Sequence, residues 1–277
     1  MGFRINTNVA SIQAQNSLSK VNKESQESFS KLSSGSRITK ASDDAAGLAI
    51  SEKLKGEIRS AQQANRNAND GVSMVQVAEG GLNETSSILV RMRELAIQAS
   101  SDTVGEVERG MSNLEYQQLK QEMERISQVT EYNGTKLLNG SGDKKEFQIG
   151  TGGYEFKDRI SFEPVMLNSS IGEMGVEGLD ISSKDGAQDS LATIDAASSK
   201  VSSQRALLGS LQNRLVSTSN NLQVYTENIS AAHSRIRDVD YAEETAKQAR
   251  NQILTAAGTS VLAQANVSGQ NALKLIG

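Results

Sequence analysis

Few side chains in this sequence could carry catalysis. The chain has one histidine, His233, and no cysteine, so disulfide bonds and thiolate chemistry are excluded. Its glycine-containing loops lack the Lys-Ser/Thr ending of a phosphate-binding loop. One histidine without partners in a polar helical segment is typical of a solvated side chain. The sequence therefore predicts no catalytic site and no cofactor, and an enzyme is the class of protein that it favours least.

Two pairs of acidic residues could bind a hard cation, because carboxylate oxygens suit calcium. These pairs are Asp43 with Asp44 and Asp238 with Asp240. The first pair lies in the first turn of a segment with helical periodicity and the second comes just before another, and acidic side chains are favourable at the positive N-terminus of a helix. We therefore favour helix capping for both pairs and predict no metal site.

The elements that carry these residues are predicted to be long helices. Of the 277 residues, 36% are hydrophobic and 4% aromatic, with one proline and no tryptophan. This composition disfavours a thick globular core and favours an elongated, mainly α protein whose helices bury narrow apolar seams against each other. We expect helices over residues 5–32, 43–99, 111–130, 189–235 and 241–275, with the second one interrupted or loosened at 69–71.

The helical seams are regular. The strongest one alternates steps of three and four over six heptads, which is typical of a left-handed coiled coil; it begins Ile194, Ala197, Val201, Gln204, Leu208, Leu211, Leu215 and continues to Ile236. A second seam comprises Val75, Ala78, Leu82, Thr85, Leu89, Met92, Ala96 and Ala99. Between them, the helix at 111–130 is predicted to place Leu114, Leu119, Met123 and Ile126 on one side.

A small β element is predicted at about residues 133–186. This segment holds ten of the 23 glycines, the single proline and four aromatic residues that could pack a small sheet, Phe147, Tyr154, Phe156 and Phe162. Asn133-Gly134 and Asn139-Gly140 are strong hairpin-turn signals, and Lys136–Leu138 and Phe147–Ile149 are plausible short strands. We expect two hairpins.

Both chain ends are predicted to be helices with one narrow apolar stripe, which neither can bury alone. Each should therefore pack against the other and against other molecules. The residues that we expect to make these contacts are Val9, Ile12, Leu18, Val21, Leu254, Val261, Leu262, Leu273 and Leu275.

Several long blocks of this sequence resemble bacterial flagellin, the subunit of the flagellar filament. The blocks are LSSGSRITKASDDAAGLAIS (32–51) and NRNANDGVSMVQVAEGGLNE (65–84) near the N-terminus, and SRIRDVDYAEE (234–244) and AAGTSVLAQANVSGQNALKLIG (256–277) near the C-terminus. The resemblance covers roughly residues 1–140 and 187–277, and it carries little into 141–186. The chain is similar to a short flagellin with a reduced central region.

The resemblance implies a fold and a function. Residues 1–43 with 237–277 would form an inner core of paired terminal helices, and 44–236 an outer-core helical rod with the β element. The chain would polymerise into the extracellular filament, after export through the flagellar type III channel without a cleaved signal peptide. Implied partners are other flagellin subunits, a secretion chaperone on the C-terminal helix, and the filament cap and hook-filament junction proteins.

The resemblance also assigns a contact surface. The segment LVRMRELA (89–96) matches the flagellin stretch where filament subunits touch and where the vertebrate Toll-like receptor for flagellin binds. Arg91, Glu94 and Leu95 match this pattern, and Glu115 on the next helix is the fourth position. On the predicted helix, Arg91, Glu94 and Leu95 lie outside the seam, so we expect them to be exposed. The alternative is a solvated face with an Arg91–Glu94 pair.

Two rival functions share the helical plan. A hook-filament junction protein has similar terminal helices, but the continuous match to DDAAGLAIS and SVLAQAN favours the filament subunit. A cytoplasmic chemoreceptor-like signalling rod needs neither the narrow-striped ends nor the glycine-rich insertion. The net charge of −4, without runs of like charge, favours neither nucleic acid nor a membrane surface as a partner, and no segment is apolar enough to insert into a membrane.

Overall fold

The computed structural model describes residues 7–274, with side chains described as far as 267. Its elements, in chain order, are α1 Val9–Ser34, α2 Ala45–Ala99, α3 Glu106–Val129, β1 Glu131–Tyr132, β2 Thr135–Lys136, β3 Lys145–Gln148, α4 Glu155–Asp158, β4 Arg159–Phe162, a 3-10 helix Pro164–Leu167, α5 Ile171–Met174, α6 Lys184–Arg237 and α7 Tyr241–Lys274. The predicted fold class is confirmed: the chain is mainly α, its terminal helices pair, and two small antiparallel sheets lie in the middle.

The acidic pairs supply caps. An Asp44 carboxylate oxygen accepts the N–H of Gly47 at 2.8 Å, and Asp240 accepts those of Ala242 and Glu243 at 2.9 and 3.1 Å. These bonds satisfy amides at the starts of α2 and α7 that have no partner within the helix. The capping prediction is confirmed for Asp44 and Asp240.

Asp43 does not belong to the helix that follows it. Its carboxylate accepts the backbone N–H groups of Lys40 and Thr39, each at 2.9 Å, and so closes the turn before α2. These hydrogen bonds, with Lys40 contributing most, lower the pKa of the Asp43 carboxyl.

The predicted interruption of α2 is wrong, because the helix is continuous through residues 69–71. Gly71 lies where a side chain would have little room: a Cβ atom there would be 3.2 Å from both Leu215 and Phe147. Glycine here allows close packing against α6 and β3. Gly71 therefore marks a close contact between helices and strand, and not the turn that the sequence predicted.

The seam predictions are confirmed along α2 and the first part of α6. All eight α2 seam residues from Val75 to Ala99 are buried, as are Ile194, Ala197, Val201, Gln204, Leu208 and Leu215. Beyond Ser219, the α6 seam positions are half-buried or exposed, and Tyr225 is 41% exposed. The continuous core therefore lies along α2 up to Ala99 and along α6 as far as Leu215.

One of the two predicted hairpin turns forms. Asn133 and Gly134 both have positive φ, 49° and 75°, and join β1 to β2 as a two-residue turn. Asn139-Gly140 joins no hairpin. The preceding Leu137 and Leu138 do not continue a strand, because their side chains are fully buried in the hydrophobic core. The second sheet pairs β3 with β4, from Lys145 opposite Phe162 to Gln148 opposite Arg159.

The contacts divide the chain into two compact units. One comprises Met1–Gly56 with Asn228–Gly277 and contains the α1–α7 pair; the other comprises Glu57–Glu227 and contains the core and both sheets. Within residues 7–274, no helix combines the length and hydropathy needed to cross a bilayer.

Candidate assembly surfaces

The two terminal helices pair through small polar side chains. Helices α1 and α7 run antiparallel, because Asn8 bonds the carbonyl of Ala265 at 2.8 Å while Ser25 bonds Gln248 at 3.3 Å. At the Asn8 end the Ser11 hydroxyl also donates to the Asn266 side chain, at 2.8 Å. Buried positions on these two helices include Ser11, Ser28, Glu244 and Asn251.

The large apolar side chains of the same pair are open to solvent. Val9 is 51% and Ile12 48% exposed on α1, and Leu254 is 45% and Val261 58% exposed on α7. Leu18, Val21 and Leu262 are half-buried. Of the remaining predicted contact residues, Leu273 lies beyond the described side chains and Leu275 beyond the described residues. In the described part of this helix pair the fully buried side chains are therefore polar, while several large apolar side chains remain about half exposed.

Four of the predicted residues meet in one groove. Leu18 and Val21 from α1 and Leu254 and Val261 from α7 line an open groove of about 410 Å³, together with Ala10, Ala14, Ala257 and Gly258. A Cβ atom at Gly258 would lie 3.2 Å from Leu18 Cδ1, so glycine lets the two helices approach here. Gln13 and Ser17 complete a lining that is otherwise apolar, so the groove can receive an apolar side chain from another molecule.

A short crossing at the base of the pair joins the two segments that lead into α2 and α7. Ser36 and Asp238 form an antiparallel bridge, and the N–H of Arg37 donates to the carbonyl of Arg237 at 2.7 Å. The Arg37 guanidinium donates twice to the carbonyl of Ile236, at 3.2 and 2.7 Å. Both arginines lie in the flagellin-like blocks, but local sequence gives no signal for their roles, since these backbone partners are about 200 residues away in sequence.

Arg237 links the same crossing to α2. Its guanidinium bonds the Glu52 carboxylate and lies 3.4 Å from the Ser51 hydroxyl. The hydrogen bond from Arg237 lowers the pKa of the Glu52 carboxyl. The end of α6 is thus anchored to the first turns of α2 by a charged contact.

Three of the four residues assigned to the contact surface by resemblance do meet. Arg91 Nε donates to Glu115 at 2.8 Å, and a second guanidinium nitrogen donates to Glu94 at 2.9 Å. These two carboxylates, Glu115 first, raise the pKa of the Arg91 guanidinium. All three side chains are about half exposed, so the cluster is a polar surface that joins α2 to α3.

The expectation that Leu95 is exposed is wrong. Leu95 is 2% exposed and belongs to the hydrophobic core. Helix α2 contacts neighbours on more than one side, so Ile88 and Leu95 are buried beside the predicted seam residues Leu89, Met92 and Ala96. A heptad seam underestimates the buried width of a helix that packs against several elements.

The predicted inner face of α3 is also partly wrong. Leu114 is 69% exposed, whereas the buried residues of α3 are Tyr116, Lys120, Met123 and Ser127. Of the predicted face only Met123 is fully buried, while Leu119 and Ile126 are half-buried against the core. The true inner face is marked by large or polar residues, which an apolar count overlooks.

The lone histidine is not a freely solvated side chain. His233 is half-buried on α6, and its Nε2 atom is shielded from solvent without a hydrogen-bond partner among residues 7–274. The described part of the chain contains no cluster of three or more potential metal-ligating side chains.

The paired terminal helices and the open, largely apolar groove between them place this chain among the α-helical proteins that associate with other molecules through exposed apolar surfaces. Residues 5–143 match the model of the bacterial flagellin N-terminal helical region, and residues 191–276 match that of the C-terminal helical region. This chain belongs to the bacterial flagellin family.

Similar proteins extend along nearly the whole chain. The chain is 42% identical to a flagellin of Halalkalibacterium halodurans, over 98% of this chain and 99% of that protein. It is 40% identical to a flagellin of Bacillus subtilis, over 99% and 100% of the two chains. The crystal structure of Bacillus cereus flagellin covers 61% of this chain and 94% of that one, with 28% identity and a TM-score of 0.51.

Proposed function

We propose that this chain is a structural subunit that polymerises into the bacterial flagellar filament, the helical propeller of swimming motility. The observation that carries the proposal is the apolar surface left on the α1–α7 pair, where Val9, Ile12, Leu254 and Val261 are about half exposed. Burying one such side chain contributes about 1.5–3 kcal/mol. Burial of several such side chains at once can therefore drive association, because association removes the apolar face of the helix pair from water.

The mode of association follows from the family. Flagellins form filament homopolymers, and a polymer grows when unlike surfaces of identical subunits meet in a contact that does not close into a ring. We assign residues 1–43 with 237–277 to an inner core that makes the central contacts, and 44–236 to an outer core around it. The groove between α1 and α7 is the proposed acceptor for apolar side chains of neighbouring subunits.

The rival functions are not favoured. Relatives at about 40% identity that cover 98% or more of this chain are flagellins, so the hook-filament junction protein and the cytoplasmic signalling rod have less support. We assign no enzymatic activity to the chain. Its proposed working surfaces are an apolar groove and a charged cluster that act by contact.

We also propose binding partners other than flagellin subunits. A secretion chaperone covers the apolar face of α7, around Leu254 and Val261, before the subunit leaves the cell without cleavage of a signal peptide. The filament cap and the hook-filament junction proteins contact the two ends of the extracellular polymer. The half-exposed cluster of Arg91, Glu94 and Glu115 is the proposed contact for a Toll-like receptor; Leu95 is excluded from it because it is buried.

Seeded polymerisation tests the proposal. Purified full-length chain is mixed with short filament fragments, and the pelleted fraction is measured by sedimentation. Val261→Asp places a charge in the groove and should abolish pelleting, whereas Gln252→Asp, on the opposite face of α7, should leave it unchanged. A full-length chain that never pellets on the seeds would exclude a filament subunit and favour the junction-protein alternative.

A further inference from the structure

Helix α3 carries an exposed apolar stripe in addition to the terminal helices. Val107, Met111 and Leu114 are 69%, 66% and 69% exposed, and their spacing of four and three places them on one face. The chain within residues 7–267 covers little of this surface. Clustered apolar side chains with this exposure mark a site of contact with another molecule.

A groove of matching chemistry lies on the same unit. Helix α6, β4 and the 3-10 helix surround a cavity of about 230 Å³, lined by Phe162, Met166, Leu167, Leu207, Leu211 and Arg214, with Ser161, Glu163, Leu208 and Ser210. Its floor is well packed, since Phe162 and Leu167 are 2% and 3% exposed, whereas Met166 and Leu207 are 61% and 50% exposed at its rim. This acceptor groove can take an apolar side chain without rearrangement of the core.

The charges around the two surfaces are complementary. Glu106 and Glu108 flank Val107 at the start of the stripe. The acceptor groove is lined by both Arg214 and Glu163, and α6 carries no acidic residue between residues 196 and 226. Lys200 in this stretch is paired with Glu173 at 3.5 Å, so Arg205 and Arg214 supply the excess positive charge. Complementary charges orient an encounter between the surfaces and disfavour stripe-to-stripe contact.

The stripe cannot reach the groove of its own chain. Asn113, beside the stripe, accepts the N–H of Ile181 at 3.3 Å, and Lys184 pairs with Asp102 at 2.7 Å, so the stripe lies level with the first turn of α6. Leu207 lies about 35 Å further along α6 at the standard helical rise. Both elements are held by the same core, so their separation is fixed.

We propose that the α3 stripe of one copy docks in the acceptor groove of a second copy, displaced along the helices of the Glu57–Glu227 unit. The contact joins two different surfaces, so each copy can receive one neighbour and enter another, and the series stays open where the rotation between copies does not close a ring. This inference rests on the proposed function and names one pair of surfaces by which the outer part of the polymer is built.

Cross-linking in filaments tests the pairing, and the absence of native cysteine makes the test clean. The full-length double variant Met111→Cys/Leu207→Cys is assembled on seeds and treated with a short bismaleimide. We expect a ladder of covalent oligomers on a denaturing gel, and none from the same variant kept monomeric. The matched control is Met111→Cys/Val224→Cys, whose second cysteine is also exposed on α6 but lies outside the groove; it should give no ladder.

A second measurement uses the rate of seeded elongation. Met111→Glu should slow elongation about tenfold, the effect of losing about 1.4 kcal/mol of contact energy. Gln223→Glu adds the same charge to an exposed site on α6 outside the groove and far from the stripe, and its rate should match that of the parent. Thermal melting of both monomers should coincide, because neither side chain is buried.

The outcomes separate the two proposals. Filaments that form normally but give no ladder, or give equal ladders with the control pair, would overturn the docking contact and leave the filament function intact. A parent chain that does not elongate seeds would overturn both.

Discussion

The ammonium group of Lys120 donates to the carbonyl oxygen of Leu179 at 3.1 Å and also to that of Glu177, and so ties α3 to the segment that leads into α6. Lys120 is 7% exposed, and burial lowers the pKa of its ammonium group. The lysine is a buried hydrogen-bond donor to this turn, where the carbonyl of Leu179 also accepts from the Gln117 side chain at 3.2 Å.

Replacing this amine should therefore destabilise the protein. Lys120→Met keeps much of the side-chain volume but removes two hydrogen bonds from a charged donor, at a cost of about 1–3 kcal/mol. Urea unfolding checks the loss. Lys136→Met removes a surface ion pair with Glu131 and should change the midpoint little; equal losses in both variants would show that the buried bonds contribute nothing special.

Tyr116 should make stability sensitive to alkali. Burial raises the pKa of its hydroxyl to about 12, above the ordinary value of about 10. Because the folded state holds this proton more tightly than the unfolded state, its contribution to stability is complete below pH ~10 and is lost as the pH rises towards ~12.

Tyr116→Phe removes this titration together with a buried hydroxyl that lies near the Ser190 side chain but makes no hydrogen bond of ordinary geometry among the described residues. The variant should equal or exceed the parent in free energy of unfolding at neutral pH and lose less of it between pH ~10 and ~12. Urea titrations of both proteins at each pH measure the difference, and parallel alkaline losses would contradict the assignment.

The neighbouring glycines of α2 should respond oppositely to alanine. A Cβ atom at Gly81 would lie 2.6 Å from Leu138 Cδ1 and 2.8 Å from Thr130 Oγ1, whereas nothing lies within 4 Å at Gly80. We expect Gly81→Ala to cost about 1–3 kcal/mol through overpacking and Gly80→Ala to stabilise by about 0.5–1 kcal/mol through helix propensity. Thermal unfolding of the two variants gives the signs, and the same sign for both would refute the packing argument.

The Arg91–Glu115 pair should contribute little to the stability of the monomer. Both side chains are about half exposed, and such pairs are weak and screened by salt. A double-mutant cycle of Arg91→Ala and Glu115→Ala should show a small coupling that disappears at high salt. If the same variants strongly slow seeded elongation, the cluster acts between copies; a large salt-resistant coupling in the monomer would instead make it a structural element.

The sequence by itself predicted the features that depend on neighbouring residues. The seam from Val75 to Ala99 and the caps of Asp44 and Asp240 depend on residues within a few turns of helix, as does the Asn133-Gly134 turn. Spacing and side-chain type therefore predicted them. The flagellin-like blocks near the two chain ends were enough to indicate the flagellin family, because they are long, specific and continuous in sequence.

Only the tertiary structure decided which faces are covered. Leu95 is buried and Leu114 exposed because the neighbours of α2 and α3 determine the width and direction of their inner faces. Gly71 is a contact site instead of a helix break because Phe147 and Leu215 arrive from distant segments. Periodicity shows that a helix has an apolar face, but the number and position of the elements packed against it determine what stays open for another molecule.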